Sequence, residues 1–185
     1  MTKAGGGQLD YVVTFLEMDE RPAHPRPHLP PGPPAALIAA ENPPVWYFRG
    51  LYDTVGRGYN WADVHAWSQA EIVAYLADPA VTLYTFLRGG WPHGFFVLDA
   101  REAGTCNLAY FGLVPEALGQ GLGRFLLETA VHLAWDRPGT RHVTVNTCSL
   151  DHPRALPLYQ RAGFEPVRRE ARSRPIRSDP DPADA

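Results

Sequence analysis

The 185-residue chain has only two cysteines, Cys106 and Cys148, too few for a disulfide framework or a cysteine-built metal centre. A reducing compartment, the cytoplasm, is the expectation. No apolar run is long enough to cross a bilayer and no signal-type hydrophobic stretch is visible, so no membrane role is expected. Excess positive charge is missing too. With 17 Lys and Arg against 20 Asp and Glu the net charge is −3, which argues against a general nucleic-acid partner. His24 and His28 have no companion carboxylate or thiol nearby in sequence, so no metal is expected. There is no internal repeat. The remainder, 45% hydrophobic and 20% charged, suits one soluble core.

The most informative stretch runs from Tyr110 to Trp135, YFGLVPEALGQGLGRFLLETAVHLAW. An apolar run ending at Leu113-Val114 reads as a buried strand, which Pro115 stops because it has no N–H to give. Gly119, Gly121 and Gly123 follow at alternate positions, leading straight into an amphipathic helix. Its apolar face is Leu122, Phe125, Leu126, Ala130, Leu133 and Ala134, with Arg124, Glu128, His132 and Asp136 mostly on the other faces. A helix N-terminus offers unpaired N–H donors and partial positive charge, and glycine lets an anion approach without meeting a Cβ. Strand, glycine loop and helix together make a phosphate cradle. The spacing is not that of a P-loop, since Arg124-Phe125 follows the last glycine. Nor is it a dinucleotide fingerprint, since the third glycine comes one residue early.

At these residues the chain resembles the GCN5-related N-acetyltransferase (GNAT) family. The resemblance rests on V-P-E-x-x-G-Q-G-L-G-R-x-L-L (Val114 to Leu127) and A-L-P-L-Y-Q-R-A-G-F (Ala155 to Phe164), within a stretch from Val81 to Val167. It implies an α/β fold with a mixed, splayed sheet: antiparallel N-terminal strands, a parallel pair at the cofactor slot, and flanking helices. It also implies acetyl-CoA as donor. The pyrophosphate would sit on the loop residues Gly119, Gln120, Gly121, Leu122, Gly123 and Arg124, and the pantetheine arm against Leu113 and Val114. The Leu113 backbone N–H would polarise the thioester, and Tyr159 matches a tyrosine that protonates the departing thiolate. The family often has Arg or Gln where Leu118 stands, and Asn on the pantetheine where His152 stands.

Along the rest of the chain, residues 1–10 read as a flexible leader and Tyr11 to Met18 as the first strand. Residues 21–34 hold seven prolines in fourteen and should run extended, as a connector. Residues 35–78 read as helical in pieces. A helix follows Pro43-Pro44, Asn60 caps a short helix, and Ser68 to Glu71 forms a capping box. By resemblance these helices close over the acceptor, and Tyr59, Asn60 and Trp61 are the expected acceptor contacts. Val81–Leu87 and Phe95–Leu98 read as a hairpin, Thr105–Val114 as a third strand, and His142–Thr147 as a strand parallel to it. Asp151 or His152 caps the helix that carries Tyr159, and Pro157 should bend it. Residues 168–185 read as a flexible charged tail.

The general base is not fixed by the sequence. Several family members have a carboxylate where this chain has Asn107, which takes no proton at neutral pH. Asp63, His65, Asp99 or a water chain are the substitutes. The expected unit is a single domain over 11–167, with acceptor-side helices at 35–78 and an acetyl-CoA-binding core at 81–167. The expected activity is acetyl transfer from acetyl-CoA to a primary amine of a small molecule or peptide. A non-catalytic acetyl-CoA-binding sensor or interaction module is the alternative. Homodimerisation stays open.

Overall fold

The computed structural model describes residues 8–175. Seven strands form one sheet: β1 (Gln8–Met18), β2 (Ala35–Ala39), β3 (Val81–Arg88), β4 (Trp91–Asp99), β5 (Thr105–Leu113), β6 (His142–Cys148) and β7 (Glu165–Pro175), in the order β2-β3-β4-β5-β6-β1-β7. All neighbours run antiparallel except β5 and β6, which are parallel and joined through helix α3 (Leu122–Trp135). Helices α1 (Val45–Gly56) and α2 (Gln69–Ala77) precede β3, and α4 (Ala155–Arg161) precedes β7.

Two adjacent residues of β5 show how the layers are arranged. A Cβ on Gly112 would meet Val55 of α1, whereas Leu113 faces Gly123 of α3. Successive strand residues point to opposite faces, so α1 and α3 lie on opposite sides of the sheet. The apolar stripe of α3, with Leu122, Leu126, Leu127, Ala130, Val131 and Ala134 buried, packs on one face. Phe48, Leu51, Tyr52 and Val55 of α1 pack on the other. The capping box at Ser68 and Glu71 forms as expected and starts α2. Among the described residues no helix is long and apolar enough to cross a membrane.

Several expectations are corrected. Residues 35–39 are an edge strand paired with β3, not helix. The Ala-rich segment favours helix intrinsically, but five residues between prolines gain more from an open sheet edge than from one helical turn. Asn60 caps no helix N-terminus. It is left-handed (φ 56°) at the end of a short turn, and a second turn over Asp63–Ala66 follows. The helix α4 starts at Ala155, capped by neither Asp151 nor His152. Pro157 is thus its third residue, where the N–H has no intrahelical partner anyway, and no bend is required. Residues 168–175, expected in the tail, are most of β7 and pair with β1 from Gln8 onward; the same pairing removes Gln8 to Asp10 from the leader. The remaining tail and leader residues, 176–185 and 1–7, lie outside the described residues. His132 is buried at 4% exposure, because the proline-rich segment folds over α3 and sets the His24 ring 5.3 Å from it.

Candidate active site

The site begins where β5 and β6 part. Their pairing covers only Thr105–Leu108 against His142–Val145. Beyond it β5 continues to Leu113 with β4 alone. Val114 N–H donates to the His93 carbonyl (3.0 Å), making that facing pair a hydrogen-bonded one. Bonded and non-bonded pairs alternate along an antiparallel ladder, so Leu113, opposite Gly94, and Phe111, opposite Phe96, turn their N–H and C=O away from β4. These groups point into the slot left by β6. The Leu113 N–H is therefore presented there, while Val114 is buried and its N–H already used.

At the mouth of the slot the chain makes a short turn, Pro115–Ala117, and then the glycine loop. Gly119 and Gly121 adopt φ of +76° and +74°, a left-handed conformation that side chains other than glycine strain to reach. A Cβ on either would meet nothing within 4 Å, and both glycines are exposed. Gly121 is the N-cap of α3, and Leu122, Gly123 and Arg124 are its first turn, with three N–H groups free of intrahelical partners. The side chain of Gln120 turns back to the Glu116 carbonyl (3.0 Å). Arg124 pairs along the helix with Glu128 (2.6 Å).

Across the slot stands α4. Tyr159 is 5% exposed, its ring held edge-on between Phe111 (6.1 Å) and Phe164 (6.0 Å). Among the described residues its hydroxyl has no hydrogen-bond partner, and it borders the cavity. Burial, and less so the charge of Asp151, pushes its pKa above the ordinary tyrosine value, so it stays protonated. His152 lines the same cavity. Its Nδ1 accepts from the Arg154 N–H (3.1 Å), which in the neutral ring leaves the proton on Nε2.

One cavity of about 730 Å³ joins these parts to residues on the α1 side. Its wall carries Tyr59, Asn60 and Trp61, the three expected acceptor contacts, together with Asp63, Tyr110 and Gly112. Asp63 accepts hydrogen bonds from the hydroxyls of Tyr52 (2.5 Å) and Tyr110 (2.6 Å). Burial, with the carboxylate beside them, pushes both phenols far above their ordinary pKa, so they remain donors. Trp61 leans on Tyr52 and Tyr110, and its Nε1–H reaches Asp151 Oδ1 (3.2 Å). Asp151 also takes the Thr147 hydroxyl (2.7 Å) and the Cys148 N–H (2.8 Å). It thus ties the Trp61 wall to the end of β6 and the start of the α4 segment.

Of the base candidates, Asp63 alone lines this cavity. His65 is paired with Asp53 (2.8 Å), and Asp99 is held by the fork of Arg101 (2.7 and 2.9 Å). Asn107 accepts from the Thr144 hydroxyl (3.1 Å) and faces a second groove. Sequence reading missed the far wall altogether. Tyr11, Val13 and Phe15 of β1 and Arg172 and Arg174 of β7 line the same cavity. The signal was present, since Arg168, Glu170, Arg172 and Arg174 alternate, but a strand whose alternation is charged has no apolar face to betray it.

The residues fit acetyl-CoA. A phosphate finds free first-turn amides under two left-handed glycines, and an extended amide arm finds unpaired backbone groups at Phe111 and Leu113. Among the described residues no group of His, Cys, Asp and Glu is placed to hold a metal ion.

Comparison with known proteins agrees with this geometry. The family model described as Acetyltransferase (GNAT) family matches residues 40–164. No curated protein matches the sequence. Among solved structures, a GCN5-related N-acetyltransferase from Kribbella flavida is 20% identical with a TM-score of 0.60, covering 90% of this chain and 59% of its own. One from Sphaerobacter thermophilus is 21% identical with a TM-score of 0.57, covering 93% of this chain and 53% of its own. An aminoglycoside acetyltransferase from an uncultured soil metagenomic sample, in complex with sisomicin, is 12% identical with a TM-score of 0.56, covering 70% and 87%. The chain thus spans between half and two thirds of the length of the first two, and at these identities the likeness speaks for the fold. The match over residues 40–164, with the splayed strands and glycine loop it covers, places the chain in the acetyltransferase (GNAT) family.

Proposed function

We propose that the protein transfers an acetyl group from acetyl-CoA to a primary amine by direct attack within a ternary complex. One observation carries this reading: Leu113, whose N–H turns away from β4, and Tyr159, whose hydroxyl has no partner among the described residues, line one cavity with the glycine loop. When bound, acetyl-CoA supplies the activated acyl group; the rest is done by residues of this chain. First-turn amides from Leu122 to Arg124, with Gly119 and Gly121, hold the pyrophosphate. Leu113 N–H donates to the carbonyl oxygen as it gains charge. Tyr159 donates to the sulfur as the C–S bond breaks. A thiol has an ordinary pKa near 8.5. A phenol raised above its usual value therefore serves as a hydrogen-bond donor in the transition state more readily than as a full proton source. The amine must arrive or become neutral, since an ammonium has no lone pair, and Asp63, the one base candidate that lines the cavity, would take that proton.

Melting in the presence of acetyl-CoA, with CoA and dephospho-CoA alongside, tests the cradle. A ligand bound at 100 times its Kd adds about 2.7 kcal/mol, a clear shift. Thiol release with a panel of amines then tests turnover. Binding without release for any amine would favour a non-catalytic acetyl-CoA module, which the Asn107 position also suits. Tyr159→Phe should lower kcat by about 10²-fold or more with little change in acetyl-CoA affinity; undiminished turnover would remove its role.

A further inference from the structure

Building on the acetyl-transfer reading, the cavity has a charge pattern that the donor does not account for. The cavity is lined by five arginines and two aspartates, in a protein whose net charge is −3. Both aspartates already accept hydrogen bonds from the wall, Asp63 from two tyrosines and Asp151 from three donors. Three of the arginines, Arg124, Arg154 and Arg161, rise from α3 and α4 or its N-cap, beside the glycine loop and on the side where the donor's phosphates would lie. The other two do not. Arg172 and Arg174 come from β7, three strands away from β5 with β6 and β1 between.

These two guanidinium groups are pre-set. The Arg174 guanidinium lies 5.2 Å from the ring centre of Tyr11, and that of Arg172 lies 5.7 Å from Phe15, so both reach back over β1 towards the cavity. Arg174 donates to the Asn60 carbonyl, on the segment that carries Trp61 and Asp63. Among the described residues no carboxylate pairs with Arg174, whereas Glu170 takes one edge of Arg172. Aromatic stacking beneath and a carbonyl at one side fix the fork of Arg174, and none of the described carboxylates answers its charge.

We infer that the acceptor is a primary amine carrying an anionic group, carboxylate or phosphate, which Arg174 and then Arg172 receive while the amine lies beside Asp63 and Leu113. The spacing gives the length. From β5 to β1 is two strand separations, at least about 10 Å, and more beyond Leu108, where β5 and β6 part. An amine next to its own carboxylate, as in a free α-amino acid acetylated on its α-nitrogen, is too short to reach both. An amine and an anion at opposite ends of a chain of several carbons are not. Arginine forks match either oxyanion in two-point geometry.

The test compares hexylamine, ω-aminohexanoate and ω-aminopentyl phosphate as acceptors at low ionic strength, with glycine as the short control, following thiol release. At least one anionic acceptor of full length is expected to exceed hexylamine in kcat/KM by roughly tenfold, and glycine to fall far behind it. The preference should shrink in salt, because Arg172 is exposed and Arg174 only half-buried. In Arg174→Gln the ratio of anionic to uncharged acceptor should fall toward unity through KM, and Arg174→Lys should restore part of it. Equal or better use of hexylamine would overturn the inference, as would a loss in Arg174→Gln shared equally by all acceptors. Equilibrium binding of the products, ω-acetamidohexanoate against N-hexylacetamide, needs no turnover. An Arg174-dependent preference there without any acetyl-CoA response would sink the transferase reading alone. Intact acetyl-CoA binding without the preference would sink this inference alone.

Discussion

Asp151→Ala should open the wall of the cavity. In the native structure this carboxylate accepts from Trp61 Nε1 (3.2 Å), Thr147 Oγ1 (2.7 Å) and the Cys148 N–H (2.8 Å). Truncation leaves all three donors without an acceptor. Hydrogen bonds to a charged group contribute about 1.5–3 kcal/mol each, but the carboxylate is partly exposed and the three are not additive. About 1 kcal/mol apiece, roughly 3 kcal/mol together, is the reasoned figure. For a chain of this size a loss of 1 kcal/mol lowers Tm by about 2–4 °C, so the expected drop is about 6–12 °C. Asp151→Asn, which keeps one acceptor oxygen, should fall between. Thermal melting measures the drop, and a double-mutant cycle with Trp61→Phe isolates the indole bond, with a coupling of about 0.5–1.5 kcal/mol expected. A drop for Asp151→Ala below about 2 °C, given that size scaling, would refute the idea that this residue staples the wall. Strict additivity with Trp61→Phe would refute the indole's share.

Gly112→Ala would set a methyl 2.3 Å from Val55 Cγ1, an overpacking expected to destabilise by about 1–3 kcal/mol and to be relieved by Val55→Ala, both read by denaturant unfolding. Gly121→Ala meets no atom within 4 Å but must hold φ near +74°, so stability should fall by only about 1–2 kcal/mol. Its acetyl-CoA affinity, measured by calorimetry, should fall further, because the strain is relieved by moving the amides. His132 is buried with neither ring nitrogen hydrogen-bonded among the described residues. Burial, then the positive neighbours His24, Arg21 and Arg26, pull its pKa below the ordinary 6.5, with Glu128 opposing. The unfolded chain therefore binds this proton more readily, and stability is full above pH 6.5 and declines as pH falls below it. His132→Leu should flatten that decline in melting curves taken at successive pH values.

What the sequence disclosed and what it hid follow a physical line. The cofactor side is local: three glycines, a helix start and a tyrosine one turn from a helix end lie within short windows, and backbone requirements leave marks there. Gly119 and Gly121 are glycine because of φ, and that can be read without knowing their neighbours. The proposed acceptor side is not local. Asp63 takes its meaning from Tyr52 and Tyr110, which reach it from a helix and from a strand 47 residues on. Arg174 takes its meaning from Asn60, 114 residues earlier. A short, alanine-rich β2 is a strand because β3 offers an edge, and the charged β7 is a strand because β1 does. No periodicity in either segment announces its partner.

The pairing of β1 with both β6 and β7 sets an order of assembly during synthesis. Phe15 must wait for Asn146 on one side and Arg168 on the other, so β1 leaves the ribosome more than a hundred residues ahead of either strand it pairs with. At about 5–20 residues per second, that interval is on the order of ten seconds. The hairpin of β3 and β4 and its neighbour β5 close early over short separations, so the β5 side of the slot has a framework while the β1 side has none. Throughout that interval the edge of β1 is open to whatever strand it meets, and a chaperone or a neighbouring nascent chain would find it there.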